Sequence, residues 1–254
     1  MEQLKEFCYK LTIEYDGTNY CGFQKQDLKD RKSIEGQLLN ALRQFTGKQI
    51  DIAVSGRTDA GVHALGQVIS FKLAKKINEH QMIMGLNFYL QDDEIAVIKS
   101  EIVDDNFNAR FDSKMRTYRY IILNRKAIPT IDKHRLWHVG GKKLNIENMK
   151  IASKFLVGEH DFSSFRDAEC QGKSPVKTIS SIEVKLVEDE KIIIEISAKS
   201  FLHHMVRNIV GTLVWVGKEK ITADFMQNIL LAKDRKASGP NAPASGLYFL
   251  KTQY

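Results

Sequence analysis

Cysteine is scarce in this chain of 254 residues: there are three, Cys8, Cys21 and Cys170, an odd number with no CxxC pair. That pattern argues against both a disulfide framework and a cysteine zinc site. His203 and His204 are adjacent, whereas two ligands on one helix face need i, i+4 spacing, so no metal is expected. No apolar run approaches the ~20 residues that a membrane-spanning helix needs. The start, Met1-Glu2-Gln3-Leu4-Lys5-Glu6, carries acidic residues with no apolar stretch behind it. It reads as no signal peptide, and the expected compartment is the cytoplasm. There is no sequence repeat, and only 237–245, with Gly239, Pro240 and Pro243, reads as a long loop.

What is present is a hydrophobic share of 43%, enough for a packed core, in a length that suits one large domain or two ordinary ones. The net charge is +7. The positions of the cations say more than their number. They recur beside aromatics and turns: Phe23-Gln24-Lys25-Gln26, the 29–32 run, Arg110-Phe111, 114–120 and Phe165-Arg166. Cations next to aromatics suit a single-stranded or looped nucleic acid, which offers phosphates and exposed base faces together. A solvated basic face is the plainer alternative.

The apolar periodicity predicts strand 8–15, ended by Asp16-Gly17, then a helix from an N-cap at Ser33 to a C′ glycine at Gly47. Ile34, Leu38, Leu42 and Phe45 share one face of that helix. Strands follow at 50–54 and 67–73, then a helix at 78–90 and an edge strand at 94–103. This β-α-β-β-α-β order is the ferredoxin-like arrangement. A second half restarts near Asp112, so the expected domains are 1–111 and 112–254. The second half reads as strands 115–123 and 135–139, helix 145–156 and strands 178–187 and 191–197, joined at 188–190. A helix at 201–216, a shorter one at 223–232 and a strand at 246–252 complete it.

Two segments carry chemistry. Ser55-Gly56-Arg57-Thr58-Asp59-Ala60-Gly61-Val62-His63 sets a guanidinium and a carboxylate two residues apart, between glycines and flanked by apolar strands. Glycines permit sharp turns and close backbone approach, and a side chain on such a loop is held out from the scaffold. The plain alternative is a turn in which Asp59 bonds its own backbone. On a helical wheel of 201–216, Leu202, Met205, Val206, Ile209, Val210, Leu213 and Val216 form the apolar face. His203, His204, Arg207, Asn208 and Gly211 form the other, which suits a tight polar contact. A carboxylate closed into a cleft tends to protonate, and a neighbouring arginine keeps it charged. Arg207 is the candidate partner of Asp59. Arg57 is the other, although it could equally reach phosphate or a base stack.

Together these pieces resemble the bacterial tRNA pseudouridine synthase I family. The resemblance rests on Tyr15-Asp16-Gly17-Thr18-Asn19-Tyr20-Cys21-Gly22-Phe23-Gln24 and on Gly56-Arg57-Thr58-Asp59-Ala60-Gly61-Val62-His63-Ala64. It extends through 107–111, 116–120, 160–165 and 201–211 to Ala242-Pro243-Ala244-Ser245-Gly246-Leu247-Tyr248. It implies an α+β fold of two ferredoxin-like α/β halves sharing an extended, mainly antiparallel sheet with a central cleft. It also implies isomerisation of uridine to pseudouridine in the anticodon stem-loop of tRNAs, at nucleotides 38, 39 and 40, without cofactor or metal. Asp59 would be the nucleophile, Arg207 its ion-pair partner and Arg57 the residue that holds the nucleotide outside its helix. Tyr118 would stack on the target base and Leu247 would line the uracil pocket. The family further implies a homodimer with tRNA spanning both subunits. Two other readings remain at this point: an N-glycosidase that admits water, for which Asp161 is the candidate second acid, and a non-catalytic RNA-binding scaffold. His63 and Asp16 read as structural, and Tyr120 as packing.

Overall fold

The computed structural model describes residues 6–26, 31–167 and 174–254. The start of the chain at 1–5, Lys29 in the basic run and Cys170 lie outside the described residues. Contacts divide the chain into two compact units, Met1–Lys114 with Phe249–Tyr254, and Met115–Tyr248.

The first unit runs β1 (Phe7–Tyr15), α1 (Ile34–Thr46), β2 (Ala53–Val54), β3 (His63–Leu73), α2 (Glu79–Leu90) and β4 (Ile95–Val103), in the expected order. β1 is central, antiparallel to β3 from Phe7↔Leu73 to Tyr15↔Ala64 and antiparallel to β4 on its other side. Its alternate residues Tyr9, Leu11 and Ile13 are fully buried, and Tyr9 stacks on Phe71 with ring centroids 5.6 Å apart. β3 begins at His63 rather than at 67, because backbone pairing with β1 carries on past the apolar run.

Both caps expected for α1 are present. Ser33 Oγ accepts from the Gly36 amide at 3.1 Å, and Gly47, at φ 71°, donates its amide to Arg43 O at 2.9 Å. A left-handed C′ residue of this kind favours glycine. Asn78 caps α2 by accepting from the Gln81 amide at 2.8 Å. α1 and α2 pack closely: a Cβ at Gly85 would stand 2.1 Å from the Phe45 ring, so only glycine admits that ring.

The second unit contains β5 (Met115–Leu123), β6 (Trp137–His138), α3 (Ile146–Lys154), β7 (Gly158–Asp161), β8 (Val176–Val187), β9 (Lys191–Ala198), α4 (Met205–Gly217) and α5 (Phe225–Ala232). The closing strand is β10 (Leu247–Gln253). β9 lies between β5 and β8, antiparallel to both, and β7 pairs with β8. The β8–β9 turn passes through Glu188 and Asp189 at φ 53° and 56°, which matches the expected turn at 188–190.

The strands expected at 50–54 and 135–139 are reduced to the two-residue β2 and β6, and two further differences bear on the site. β7 escapes the sequence reading because Gly158-Glu159-His160-Asp161 has neither alternation nor β-branched residues. The helix expected from 201 begins at Met205, since His204 adopts φ 60° and ψ 2°, a left-handed conformation that α-helix cannot continue through. Among the described residues, no helix is long and apolar enough to cross a membrane.

Candidate active site

Within the first unit, the loop that carries Arg57 and Asp59 leaves β2 and returns as β3. Its entry is clamped by Gln67, fully buried in β3. Ser55 Oγ donates to Gln67 Oε1 at 2.5 Å, and Gln67 Nε2 donates to Gly56 O at 2.5 Å. Thr252 and Ser55 hydroxyls lie 3.1 Å apart, which ties the same point to β10. The role of Gln67 is not evident in the sequence, although a lone amide at the head of the apolar run 68–71 was the available signal.

The next residues are held from the other side. Tyr15 OH and Thr58 Oγ1 share a buried hydrogen bond of 2.7 Å, and burial pushes the Tyr15 phenol up to about 12. The Phe23 amide donates to Thr58 O at 2.9 Å, and Gly22 forms an isolated antiparallel bridge with Asp59. Gly22 sits at φ 114°, and a Cβ there would stand 2.9 Å from Thr58 O. Asp59 O accepts from the Val62 amide at 3.2 Å, closing the turn that Gly61 makes at φ 75°. Gly17 abuts Val62, where a Cβ would fall 2.0 Å from the carbonyl oxygen. Thr58 is thus buried while Arg57 is exposed and Asp59 half-buried. These contacts hold the backbone of Asp59, and the residue as a whole is half-buried.

The two residues read as structural have structural partners. His63 is 2 % exposed, with Nδ1 3.0 Å from Asp16 Oδ1 and 3.1 Å from the Gly17 amide nitrogen. Asp16 Oδ1 accepts from the Thr18 amide at 3.0 Å and from its hydroxyl at 2.5 Å, a turn of the Asx kind.

In the second unit, Tyr118 lies on β5 opposite Ile196 and meets Phe201 edge to face, centroids 5.1 Å apart at 88°. Its neighbours show the period of two. Arg119 donates to Glu195 Oε1 from Nε and Nη2 at 2.8 and 2.6 Å. Tyr120 is fully buried and donates to Pro243 O at 2.7 Å. Burial raises the Tyr120 phenol strongly, against the opposing charge of Arg207. Gly246 is pressed on the Tyr120 ring, where a Cβ would stand 2.6 Å from Cε1, and Leu247 follows at 5 % exposure.

Arg207 is in the first turn of α4. Its Nε donates to Ala242 O at 2.7 Å while the Ala242 amide donates to Arg207 O at 3.2 Å, so side chain and backbone pin one loop residue. The rest of that helix face is packed. Gly211 faces Pro240 so closely that a Cβ would fall 1.7 Å from its oxygen. Asn208 is fully buried, donating to Phe165 O at 3.0 Å and accepting from Arg235 Nη2 at 2.9 Å. Arg235 Nη1 also donates to Ser238 Oγ and Gly239 O at 2.9 and 3.0 Å. Arg235 is a support that nothing in the sequence pattern singled out.

His203 and His204 precede the helix, stacked at 3.8 Å, and His204 Nδ1 lies 2.6 Å from Asp167 Oδ2. Asp161 accepts from the Ser163 amide and hydroxyl at 2.9 and 2.7 Å. The Ser163 hydroxyl bond, followed by the backbone bond and nearby Lys233, holds its carboxyl below the usual range. A carboxylate so stabilised is a poor general acid near neutral pH.

The chain as a whole is similar to known proteins. The family described as "tRNA pseudouridine synthase" matches residues 11–112 and 152–254. A protein of Ehrlichia chaffeensis named "tRNA pseudouridine synthase A" is 46% identical over 246 residues, covering 97% of this chain and 99% of that protein. A protein of the same name from Rhodospirillum rubrum is 48% identical over 246 residues, covering 97% of this chain and 87% of that protein.

Proposed function

The chain belongs to the tRNA pseudouridine synthase family, and from that premise we propose that it isomerises uridine to pseudouridine in the anticodon stem-loop of tRNA. The observation that carries the chemical reading is the loop at Asp59. Asp59 is half-buried on a backbone held by Thr58, Gly22 and Val62, so the loop that bears the carboxylate is preorganised for attack.

In this reading an Asp59 carboxylate oxygen bonds to C1′ as the N1–C1′ bond of the target uridine breaks, and the uracil leaves with that electron pair on N1. The uracil turns within the closed site, C5 bonds to C1′ as the Asp59–C1′ bond breaks and returns its electron pair to the carboxylate, the C5 proton leaves to solvent and N1 takes a proton. Atoms balance, Asp59 is regenerated, and no redox partner or second acid is needed. Division of one hard substitution into two easier ones is the gain from a covalent intermediate. Arg207 keeps Asp59 charged, which fits a guanidinium whose Nε is committed to Ala242 and whose place is thereby set. Tyr118, braced by Phe201, stacks on the extruded base and replaces part of the stacking lost from the helix, worth ~1–3 kcal/mol. Arg57, exposed on the same loop as Asp59, holds the nucleotide outside its helix. Leu247, set by Gly246 against Tyr120, lines the uracil pocket. The first half supplies the catalytic loop, and the second supplies the stacking tyrosine and the arginine helix. The protein works in the cytoplasm as a homodimer.

Unmodified tRNA transcript incubated with wild-type protein or Asp59→Asn, no cofactor added, tests the reading. Pseudouridine is mapped by carbodiimide-induced stops in primer extension. Stops in the anticodon stem-loop with wild type alone support it. Stops with both proteins, or with neither, overturn it.

A further inference from the structure

Phe111 is a hydrophobic side chain left 76% exposed on an unusually well-fixed turn. Asn108 Oδ1 accepts from the amides of Arg110 and Phe111 at 2.9 and 3.3 Å. The Asn108 amide donates to Asp112 Oδ2 at 2.7 Å, and the Asp112 amide returns a bond to Asn108 O at 3.0 Å. Ala109, fully buried, fastens the turn to the unit beneath it. Its amide donates to Ser70 Oγ on β3 at 3.0 Å, and its carbonyl accepts from Tyr254 OH at 3.0 Å. Out of this anchored base the Phe111 ring projects into water with the Arg110 guanidinium 5.5 Å from its centroid. Lys114, also exposed, follows in the chain.

Such a side chain contributes little to folding, since its ring gains almost no burial. A clamped turn also removes the freedom by which an exposed ring would find cover in its own fold. A rigid ring with a cation beside it has a good match in one ligand chemistry: an unstacked base, which presents a π face and carries a phosphate. We propose that Phe111 is a stacking platform for an unpaired base of the RNA substrate, with Arg110 closing over the stack and meeting the adjoining phosphate. The inference rests on the tRNA-modifying reading for the identity of the substrate. It assigns a contact apart from Tyr118 and the loop at Asp59.

The test is fluorescence anisotropy with a labelled anticodon stem-loop RNA and, in parallel, a fully paired duplex of the same length. The proteins are wild type, Phe111→Ala, Phe111→Leu and Phe111→Trp, each with its thermal midpoint checked. The expected result is an about five- to hundred-fold weaker Kd of the Ala and Leu variants for the stem-loop. The Trp variant should bind like wild type, and its added indole emission should be quenched by the stem-loop. Duplex binding, which offers no free base, should be unchanged in all four. Equal stem-loop affinities for wild type and Phe111→Ala, or an equal loss on the duplex, overturn the platform. Wild-type protein that binds RNA but forms no pseudouridine sinks the catalytic reading alone, because the Phe111 comparison is made on binding. Wild-type protein that binds neither RNA sinks both.

Discussion

Replacing Gly211 by alanine pits two effects of opposite sign against each other. Alanine is the better helix former by ~1 kcal/mol, so propensity alone predicts a more stable protein. Geometry predicts the reverse. A Cβ at 211 would stand 1.7 Å from Pro240 O and 2.9 Å from Pro240 C, both backbone atoms that no rotamer change can move. The facing residue has no slack either, because Gly239 is packed on Thr212 with room for no Cβ, and its amide donates to Thr212 Oγ1 at 2.8 Å. The 239–242 segment must therefore be driven off α4 by more than an ångström. Overpacking of this kind costs ~1–3 kcal/mol, and contact with unyielding backbone belongs at the upper end. After the propensity gain the net loss is about 2 kcal/mol, a fall in Tm of about 4–8 °C for a chain of this size. Ala242 moves with the segment, and with it the carbonyl that accepts from Arg207 Nε. Turnover should then fall further than the folded fraction does. Thermal unfolding by circular dichroism and turnover on transcript, measured on the same preparations, check both parts. An unchanged or raised Tm would show that the segment yields freely and would refute the argument.

Other consequences follow from buried polar groups. Arg235→Gln removes bonds to Asn208, Ser238 and Gly239, and leaves the fully buried Asn208 carbonyl without its donor. Orphaned buried acceptors cost ~1–3 kcal/mol each, so urea unfolding should show a loss of about 2–4 kcal/mol with an unchanged m-value. Tyr15 gives a pH signature. Its phenol titrates at about 12 when folded against an ordinary value of 10.0, so the unfolded chain releases the proton first. Stability from this group is complete below pH 10 and falls between about 10 and 12, by ~1.4 kcal/mol per unit. Tyr15→Phe should be less stable at neutral pH, through loss of the Thr58 bond, and should lack that share of the alkaline decline. Parallel slopes for the two proteins above pH 10 would contradict this.

How much was legible depended on how local the cause was. α1 could be read to the residue because its stop and start are encoded within it, by Ser33 and Gly47. β5 was legible because Tyr118-Arg119-Tyr120-Ile121-Ile122-Leu123 is rich in aromatic and β-branched residues, although burial along it does not alternate strictly. The start of α4 was not legible. Its apolar periodicity runs on through Leu202, and only the left-handed backbone of His204 breaks it. The polar face of that helix was seen, but not its occupants, since Phe165, Arg235 and Pro240 reach it from distant segments. The same holds at the loop of Asp59. Its residues identified the family, whereas the clamp by Gln67 and Tyr15 forms only once β1, β2 and β3 are paired.

The most direct test of the central claim follows the hydrogen on C5 of the target uridine. Rejoining through carbon must expel it, and neither hydrolysis of the glycosidic bond nor RNA binding does so. Transcript labelled with tritium at C5 of uridine is incubated with wild type and with Asp59→Asn, and tritium released to water is counted beside any free uracil. Wild type should release tritium stoichiometrically, the variant should release none despite retained RNA binding, and neither should free uracil. Tritium release by Asp59→Asn, or uracil set free by wild type, would contradict it.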